Sequence, residues 1–391
     1  MKADLINRVK YSKTLYSVYY SVMNTVINGM KLFVKTDEKL ILFNSFAGRK
    51  FDDSPFALFE GMKKDKRFAG YKLVWAFHDP DQFEVEGAEK IKTDTPDYFV
   101  ACLKARVWIT NSSVERGLHF KNKNTFYFNT WHGTPIKKMG GDINNNQSFG
   151  EKGKNSTDIM TAQSDFEIDV FSRMFSLPKS HFLKCGLPRN DILCSYDEQY
   201  RKEIREKLGV KDDQKIILYC PTFREYEKDD NNNVVMKPPV DLDKWEKELG
   251  DQYVLLFRAH YEVSKAMEIK ENSFVKDMTD YQSLNELMIA SDILISDYSS
   301  VFIDYSIMDK PMLHFTYDYD KYASIRGMYF DIREYINGAA DEDGIIDLLK
   351  HLDSATEIEK TRQFRNQYVQ YYGNAVRESL NCIAEHLGIG E

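Results

Sequence analysis

The chain lacks the motifs that mark the best-known nucleotide and nucleophile sites. Neither G-x-G-x-x-G nor G-x-x-x-x-G-K-S/T occurs, and G-x-S-x-G is missing as well. Its 8 histidines do not pair at zinc-ligand spacing, so neither a metal nor a bound cofactor is expected. If a phosphorylated ligand binds, something other than a glycine-rich loop must hold its phosphates.

Cysteine is scarce and scattered. The chain has 5 cysteines, an odd number, and no two of them show C-x-x-C spacing. Neither a disulfide framework nor a zinc site is expected, and reduced thiols in the cytoplasm are the simplest interpretation. The cysteines are Cys102, Cys185, Cys194, Cys220 and Cys382.

Long hydrophobic runs are missing too. A transmembrane helix requires a stretch of about 20 apolar residues, and the sequence contains none. The N-terminus also lacks the uninterrupted apolar core of a signal peptide. The net charge of -8 argues against general attraction to nucleic acid.

Residues 1–36 depart from this acidic average, with six Lys or Arg residues against one Asp. Apolar residues recur at spacings of three and four over residues 3–34, which predicts amphipathic helix. Such helices either lie in an anionic membrane surface or pack on the protein's own core. The basic charge favours the membrane, so residues 1–37 are predicted to be a basic membrane-associating segment.

The length of 391 residues fits two domains of about 150–200 residues each. From residue 38 onward, short apolar runs alternate with helical stretches, which predicts α/β domains with parallel sheets and crossover helices. A charged helical stretch at 195–213 suggests a boundary near 190–210. We expect Rossmann-like domains at 38–195 and 196–360, and a C-terminal helix, 361–391, that packs back on the first domain. The predicted strands are Leu40–Asn44, Lys72–Phe77, Val107–Thr110, Thr125–Asn129, Ile159–Thr161, Phe182–Cys185, Lys215–Cys220, Tyr253–Phe257, Ser273–Lys276, Asp292–Ser296 and Pro311–Phe315.

The strongest candidate for catalysis stands where the strand Thr125–Asn129 ends, in the sequence NTWHGTP. Gly133 permits a sharp turn and Pro135 suits the first position of a helix, so His132 is expected at a strand-to-helix corner. A histidine there can act as a general base near neutral pH. A structural histidine is the alternative, and the local residues leave both open.

Groups suited to phosphate follow strands of the second half. Arg258 and His260 come after Tyr253–Phe257, where they can act as cations or hydrogen-bond donors. Ser299 and Ser300 begin a helical run, and a helix N-terminus favours a phosphate. The alternatives are a surface salt bridge for Arg258, a capped loop for His260 and plain helix capping for the serines.

Two further groups are weaker candidates. Thr222 and Arg224 follow the strand Lys215–Cys220 and can add to a pyrophosphate clamp. Asp304 lies one turn into the helical run that Ser300 begins, where an ordinary helix-surface role is the alternative.

Taken in order, these groups resemble the CDP-glycerol glycerophosphotransferase family of teichoic acid synthesis. The resemblance spans about residues 38–375. It is carried by TWHGTPIKK at 130–138, GLPRND at 186–191, PTFR at 221–224, RAH at 258–260 and SDYSSVFID at 296–304.

This resemblance implies a GT-B fold, with two Rossmann-like domains and the donor in the C-terminal one. It implies transfer of glycerol phosphate, or ribitol phosphate, from a CDP-polyol to a lipid-linked acceptor, with release of CMP. The expected location is peripheral, on the cytoplasmic face of the membrane, where other wall-polymer enzymes are possible partners. Fewer than 40 residues precede the first domain, which leaves single addition and polymerisation both open.

The resemblance also implies residue roles. His132 resembles the catalytic base, and His260 a donor-site histidine that steadies the pyrophosphate. Ser299, Ser300 and Asp304 resemble further donor-site groups. The complete predicted donor set is Thr222, Arg224, Arg258, His260, Ser299, Ser300 and Asp304, and the predicted acceptor-side set is Trp131, Gly133, Thr134, Arg189 and Asn190.

Two other functions stay open at this point. One is a GT-B glycosyltransferase that uses a UDP- or GDP-sugar. The other is a catalytically silent membrane-docked scaffold. The presence of His132, His260 and Ser300 together weighs against the scaffold, because a silent protein has no chemical need for both histidines.

Overall fold

The computed structural model describes residues 13–143, 155–211, 213–222, 224, 238–259 and 269–390. Two parallel sheets, one in each half of the chain, organise the protein. The elements of the N-terminal half are α1 (Lys13–Met30), β1 (Asp37–Asn44), α2 (Asp53–Lys64), β2 (Lys72–Phe77), β3 (Glu89–Lys92), α3 (Pro96–Lys104), β4 (Ala105–Thr110), β5 (Phe126–Asn129), β6 (Ile159–Ala162), α4 (Asp165–Phe175) and β7 (Phe182–Lys184). Those of the C-terminal half are α5 (Asp191–Ser195), α6 (Glu198–Lys207), β8 (Lys215–Cys220), α7 (Leu242–Leu249), β9 (Tyr253–Phe257), β10 (Val275–Asp277), α8 (Leu284–Ala290), β11 (Ile293–Ser296), α9 (Val301–Tyr305), β12 (Met312–Phe315), α10 (Tyr319–Arg326), β13 (Gly338–Ala339), α11 (Glu342–Lys350), α12 (Ser354–Tyr368) and α13 (Ala375–Leu387).

The N-terminal sheet has 7 strands in the order β3-β2-β1-β4-β5-β6-β7, all paired in parallel. Because all these strands are parallel, their carboxyl ends lie at one edge of the sheet. The strand order reverses between β1 and β4, which creates a switch point at that edge. Six of these strands are predicted from their apolar runs. β3 escapes prediction because it is a polar, mostly exposed edge strand, so no apolar run marks it.

The C-terminal sheet has 6 strands in the order β10-β9-β8-β11-β12-β13, again all parallel. The predicted strands Lys215–Cys220 and Tyr253–Phe257 are confirmed to the residue. β13 has only 2 residues, too few to give a sequence pattern. The prediction of a parallel α/β architecture is confirmed.

The strands bury both faces, as the near-continuous apolar runs require. In β1, Ile41 and Phe43 join one core cluster, whereas Leu40 and Leu42 join the cluster on the opposite face. This follows from the two-residue period of a strand. α2 and α13 cover the first face, and α1 and α3 cover the second.

α1 packs through one face and exposes the other. Ile27 is 1% exposed within the core, and the Tyr20 hydroxyl donates to the carbonyl oxygen of Arg116 at 2.8 Å. Core packing, one of the two interpretations of this segment, is therefore confirmed for one face. The opposite face exposes a stripe of apolar side chains at Val18 (56%), Val22 (55%) and Val26 (53%). None of the helices described is long and apolar enough to cross a membrane.

The C-terminal helix crosses back to the N-terminal half. Leu380 and Ile383 of α13 are buried in the same core cluster as Leu58 of α2. Gly61 of α2 leaves no room for a side chain, because an added Cβ would lie 2.7 Å from Val376. α13 therefore packs against α2 on one face of the N-terminal sheet.

Candidate active site

Loops from the carboxyl edge of the N-terminal sheet meet the C-terminal half of the chain. The strands β1, β4 and β5 are neighbours in that sheet, so the loops that follow them lie side by side. Gln282 Nε2 donates to the carbonyl oxygen of Phe51 at 3.4 Å, and the Lys138 N–H donates to that of Gly327 at 3.0 Å. These loops line the cleft between the two sheets, which is where α/β folds bind ligands.

His132 lies in the loop after β5, and one ring nitrogen is held in place. Its Nδ1 lies 2.6 Å from the carbonyl oxygen of Asn111. Because a carbonyl only accepts, Nδ1 carries the proton and Nε2 keeps its lone pair. The ring stacks on Trp131 at 4.2 Å between centroids and packs beside Phe46 at 5.5 Å. Burial lowers the pKa of His132 from its ordinary value, which favours the neutral form that a general base needs.

Gly133 brings the His132 loop against the C-terminal half. An added Cβ at Gly133 would lie 3.0 Å from the Oγ of Ser300, and its φ of +141° is itself unfavourable for other residues. The close approach of the two loops thus requires glycine. The structure places His132 and Ser300, which are 168 positions apart in sequence, on facing sides of one junction.

Arg189 ties this loop to both halves of the protein. Its Nη1 donates to Asp53 at 2.6 Å, and its Nη2 donates to Asp304 at 2.7 Å. Nη2 also donates to the carbonyl oxygen of His132 at 3.1 Å. The side chains of Arg189, Asp53 and Asp304 are only 13%, 9% and 4% exposed, so water screens these ion pairs little.

Asp304 lies in α9, one turn after Ser300 as predicted, and its carboxylate contacts the N-terminal half. Its second carboxylate oxygen accepts from Asn190 Nδ2 at 2.7 Å, so both oxygens bind residues of the N-terminal half. Asp304 is 3% exposed and joins the two sides of the cleft. Arg189 and Asn190, predicted for the acceptor side, are the partners of Asp304, and its contact with a donor stays a prediction.

Thr134 supports the His132 loop from inside the protein. Its hydroxyl donates to Glu167 at 3.0 Å and accepts from Gln163 Nε2 at 3.1 Å. All three residues are buried, and desolvation raises the pKa of Glu167 to about 7. Thr134 was predicted to lie on the acceptor side. Its side chain is buried, so it supports the His132 loop and has no exposed surface for contact with an acceptor.

Ser299 and Ser300 stand at the start of α9, as predicted. The Oγ of Ser299 accepts from the Val301 N–H at 3.3 Å. Ser300 makes no such cap with its side chain, and its hydroxyl faces Gly133. Both serines are half-buried at the cleft.

Arg224 lies inside the C-terminal half and has no exposed surface. Its guanidinium donates to both carboxylate oxygens of Asp318 at 2.8 Å, and Nη1 lies 2.9 Å from Asp297. Asp297 in turn accepts from the backbone N–H of Thr222 at 2.9 Å. Arg224 holds together the loops after β8, β11 and β12, and its contact with a donor stays a prediction.

Arg258 follows β9 and is half-buried. Its Nη1 donates to the carbonyl oxygens of Met278 and Tyr281, at 2.8 and 2.5 Å, so this nitrogen holds the neighbouring loop. His260 lies outside the described residues, and its donor-site role stays a prediction.

Three residues of this site were not predicted from the sequence. Asn111 follows β4 just as His132 follows β5, so its position after a strand could have identified it as a site residue. Asp53 and Glu167 look like ordinary acidic residues in the first turn of α2 and α4, and nothing local marks them. Within the described ranges, no three His, Cys, Asp or Glu side chains are grouped to hold a metal ion.

Comparisons with known proteins identify relatives of this chain. A teichoic acid poly(glycerol phosphate) polymerase of Staphylococcus epidermidis is 33% identical over 97% of this chain, which spans 56% of that protein. A teichoic acid glycerol-phosphate transferase of Staphylococcus aureus is 30% identical over 85% of this chain and 89% of its own length. A variant of the wall teichoic acid polymerase TagF, soaked with CDPG, superposes with a TM-score of 0.85 at 31% identity and covers 98% of both chains.

The structural match confirms the expected GT-B type of fold. The family model described as CDP-Glycerol:Poly(glycerophosphate) glycerophosphotransferase matches residues 26–383, which confirms the resemblance drawn from the motifs. The chain therefore belongs to the CDP-glycerol:poly(glycerophosphate) glycerophosphotransferase family of enzymes.

Proposed function

We propose that this protein transfers glycerol phosphate from CDP-glycerol to a hydroxyl of a lipid-linked wall-polymer acceptor and releases CMP. The observation that carries the proposal is the junction of Gly133 with Ser300. It brings a neutral, oriented histidine to the helix start in the half of the chain that is expected to hold the donor. The CDPG-soaked relative supports the choice of donor.

The chemistry requires a base and a stabilised leaving group. Nε2 of His132 takes the proton of the acceptor hydroxyl, and the oxygen attacks the β-phosphorus of CDP-glycerol. A new oxygen–phosphorus bond forms while the bond from the β-phosphorus to the bridging oxygen breaks. CMP leaves with the electron pair of that bond. Asn111 holds the ring in the tautomer that leaves Nε2 free to act.

The leaving CMP gains negative charge, which fixed donors must stabilise. Ser299 and Ser300 offer hydroxyls at the start of α9. Arg258 contributes positive charge after β9, two strands away in the same sheet, and His260 completes the proposed set. Cationic and helix-start donors thus replace the missing glycine-rich loop.

A CMP-release assay tests the proposal. Full-length protein, CDP-glycerol and a lipid-linked glycerol phosphate acceptor should release CMP only when all three are present. CDP-ribitol and UDP-sugars form parallel arms, in which slower release is expected. Release of CMP from CDP-ribitol but not from CDP-glycerol would show that ribitol phosphate is the group transferred. Release of UDP from a UDP-sugar, without release of CMP from either CDP-polyol, would establish the glycosyltransferase alternative. No turnover of any donor would favour the silent scaffold.

We further propose that α1 docks the protein on an anionic membrane surface. The stripe of Val18, Val22 and Val26 is apolar and more than half exposed. Residues 1–36 also carry six basic residues in a protein of net charge -8. An exposed apolar face on a helix of a basic segment is the pattern of an interfacial helix. Docking there would keep the enzyme close to a lipid-linked acceptor.

Changing Val18, Val22 and Val26 together to serine should abolish sedimentation with vesicles of equal phosphatidylglycerol and phosphatidylcholine. The apolar contribution to binding is lost, while the buried Ile27 keeps α1 on the core. The control is Ile192→Ser on α5, which removes a comparably apolar residue, 38% exposed, far from α1 in sequence. Vesicle binding by the triple variant equal to that of the wild type would refute docking through α1.

A further inference from the structure

The loop after β1 has an unusual backbone. Phe46, Ala47 and Gly48 follow one another with φ values of +46°, +56° and +86°. A positive φ is uncommon for alanine and an outlier for a bulky residue such as phenylalanine. Such conformations cost free energy and persist only where surrounding contacts impose them, which happens most often at functional sites.

Contacts from the β4 loop impose this conformation. The Phe46 N–H donates to the side-chain oxygen of Asn111 at 2.8 Å, and the Ala47 N–H donates to Ser112 Oγ at 3.1 Å. Asn111 is also the residue whose carbonyl holds Nδ1 of His132. One residue therefore orients both the proposed base and the β1 loop, and the Phe46 ring packs beside the imidazole at 5.5 Å.

Two cations follow directly on this held backbone. Arg49 and Lys50 are exposed, and the Nζ of Lys50 lies 5.4 Å from the centroid of the Phe46 ring. Lys50 also lies 3.6 Å from Asp52, yet its side chain is 52% exposed against 22% for that carboxylate. The neighbouring Asp53 is neutralised by Arg189. Positive charge thus faces solvent one aromatic ring away from His132.

We propose that Arg49 and Lys50 form an acceptor subsite that binds a phosphodiester group of the growing chain. This inference rests on the proposed function, in which His132 deprotonates the terminal hydroxyl of the acceptor. The phosphodiester of a terminal glycerol phosphate unit lies only a few bonds from that hydroxyl. Phe46 contacts both Lys50 and the imidazole of His132, and Arg49 and Lys50 attract the phosphate oxygens. The rigid loop holds this spacing constant from one acceptor to the next.

The test compares two acceptors with full-length protein in the CMP-release assay. One is an alkyl-linked glycerol phosphate trimer, and the other is the same alkyl chain ending in uncharged glycerol. For the trimer, the double variant Arg49→Ala/Lys50→Ala should raise KM about tenfold or more, the scale expected when a charged contact is lost. Its KM for CDP-glycerol and for the uncharged acceptor should not change. Arg49→Lys/Lys50→Arg should recover most of the trimer affinity.

Lys63→Ala is the matched control. Lys63 also lies over a phenylalanine ring, with its Nζ 5.1 Å from the centroid of Phe59, and it also pairs with a carboxylate, Glu60. Its removal should leave every KM unchanged. An unchanged trimer KM in the double variant, or an equal rise for both acceptors, would overturn the subsite. Because wild-type CMP release is measured in the same experiment, a failure of the proposed function is seen separately as no release by the wild type.

Discussion

Replacing His132 by alanine should lower kcat for CMP release by about 10²–10⁴-fold, the usual contribution of a general base. The acceptor hydroxyl would then lose its proton only to water. CDP-glycerol should still bind with nearly unchanged affinity, because the proposed donor contacts belong to the other half of the chain. The measurements are steady-state kinetics and calorimetric titration with CDP-glycerol.

His351→Ala is the control for this substitution. His351 has a side chain that is 75% exposed at the end of α11, so its loss should change neither kcat nor donor binding. If His132→Ala keeps kcat within about tenfold of the wild type, the general-base role is wrong. If the variant loses CDP-glycerol binding instead, His132 acts in donor binding.

The pH profile gives a second test of the same residue. Only neutral His132 accepts a proton, so kcat/KM should rise with pH as the imidazole deprotonates. Burial lowers the pKa of His132, so the midpoint of this acidic limb should fall below about 6.5, the ordinary value for histidine. A midpoint above that value would contradict the buried, neutral base described here.

Replacing Arg189 by alanine should lower the free energy of unfolding by about 3–5 kcal/mol, the cost of removing one partner from a buried ion pair. The change leaves the carboxylates of Asp53 and Asp304 buried without their cation. It also removes the donor to the carbonyl of His132, so kcat should fall at temperatures where the variant remains folded. Denaturant unfolding and CMP-release kinetics measure the two effects.

An exposed ion pair provides the control. Arg173 donates to Asp142 through two nitrogens, but its side chain is 55% exposed. Arg173→Ala should therefore cost no more than about 1 kcal/mol and leave kcat unchanged. The double variant Arg189→Ala/Asp304→Ala should be more stable than additivity predicts, because the two side chains interact directly. Additive losses would show that the pair does not couple the two sides of the cleft.

Much of the fold follows from local pattern. Strands buried on both faces have apolar runs bounded by polar residues, and β2, β8 and β9 are predicted to the residue. β3 and β13 are not, since an exposed polar strand and a strand of two residues have no such run. The single C-terminal helix predicted at 361–391 is two helices, α12 and α13, because Gly373, with a φ of +87°, and Asn374, the N-cap of α13, interrupt the helical stretch.

The site divides in the same way. His132, Ser299 and Ser300 were predicted because they follow strands, and a parallel sheet brings the loops after its strands to one edge. Arg224 was predicted for the same reason, but its side chain is buried and pairs with carboxylates of neighbouring loops. For Asp304, resemblance suggested a donor contact, whereas the structure shows an ion pair across the cleft.

By itself, the sequence determined that this is a two-sheet parallel α/β protein of a particular transferase family, and which loops carry its chemistry. Those properties depend on short apolar runs and on the order of short motifs, which can both be read directly along the chain. Only the tertiary structure decided which charged side chains are left for a ligand. Arg189 and Asp304 are 115 positions apart, and no periodicity pairs residues at that distance. They meet because two separately formed sheets pack around one cleft, where a buried charge must find its partner.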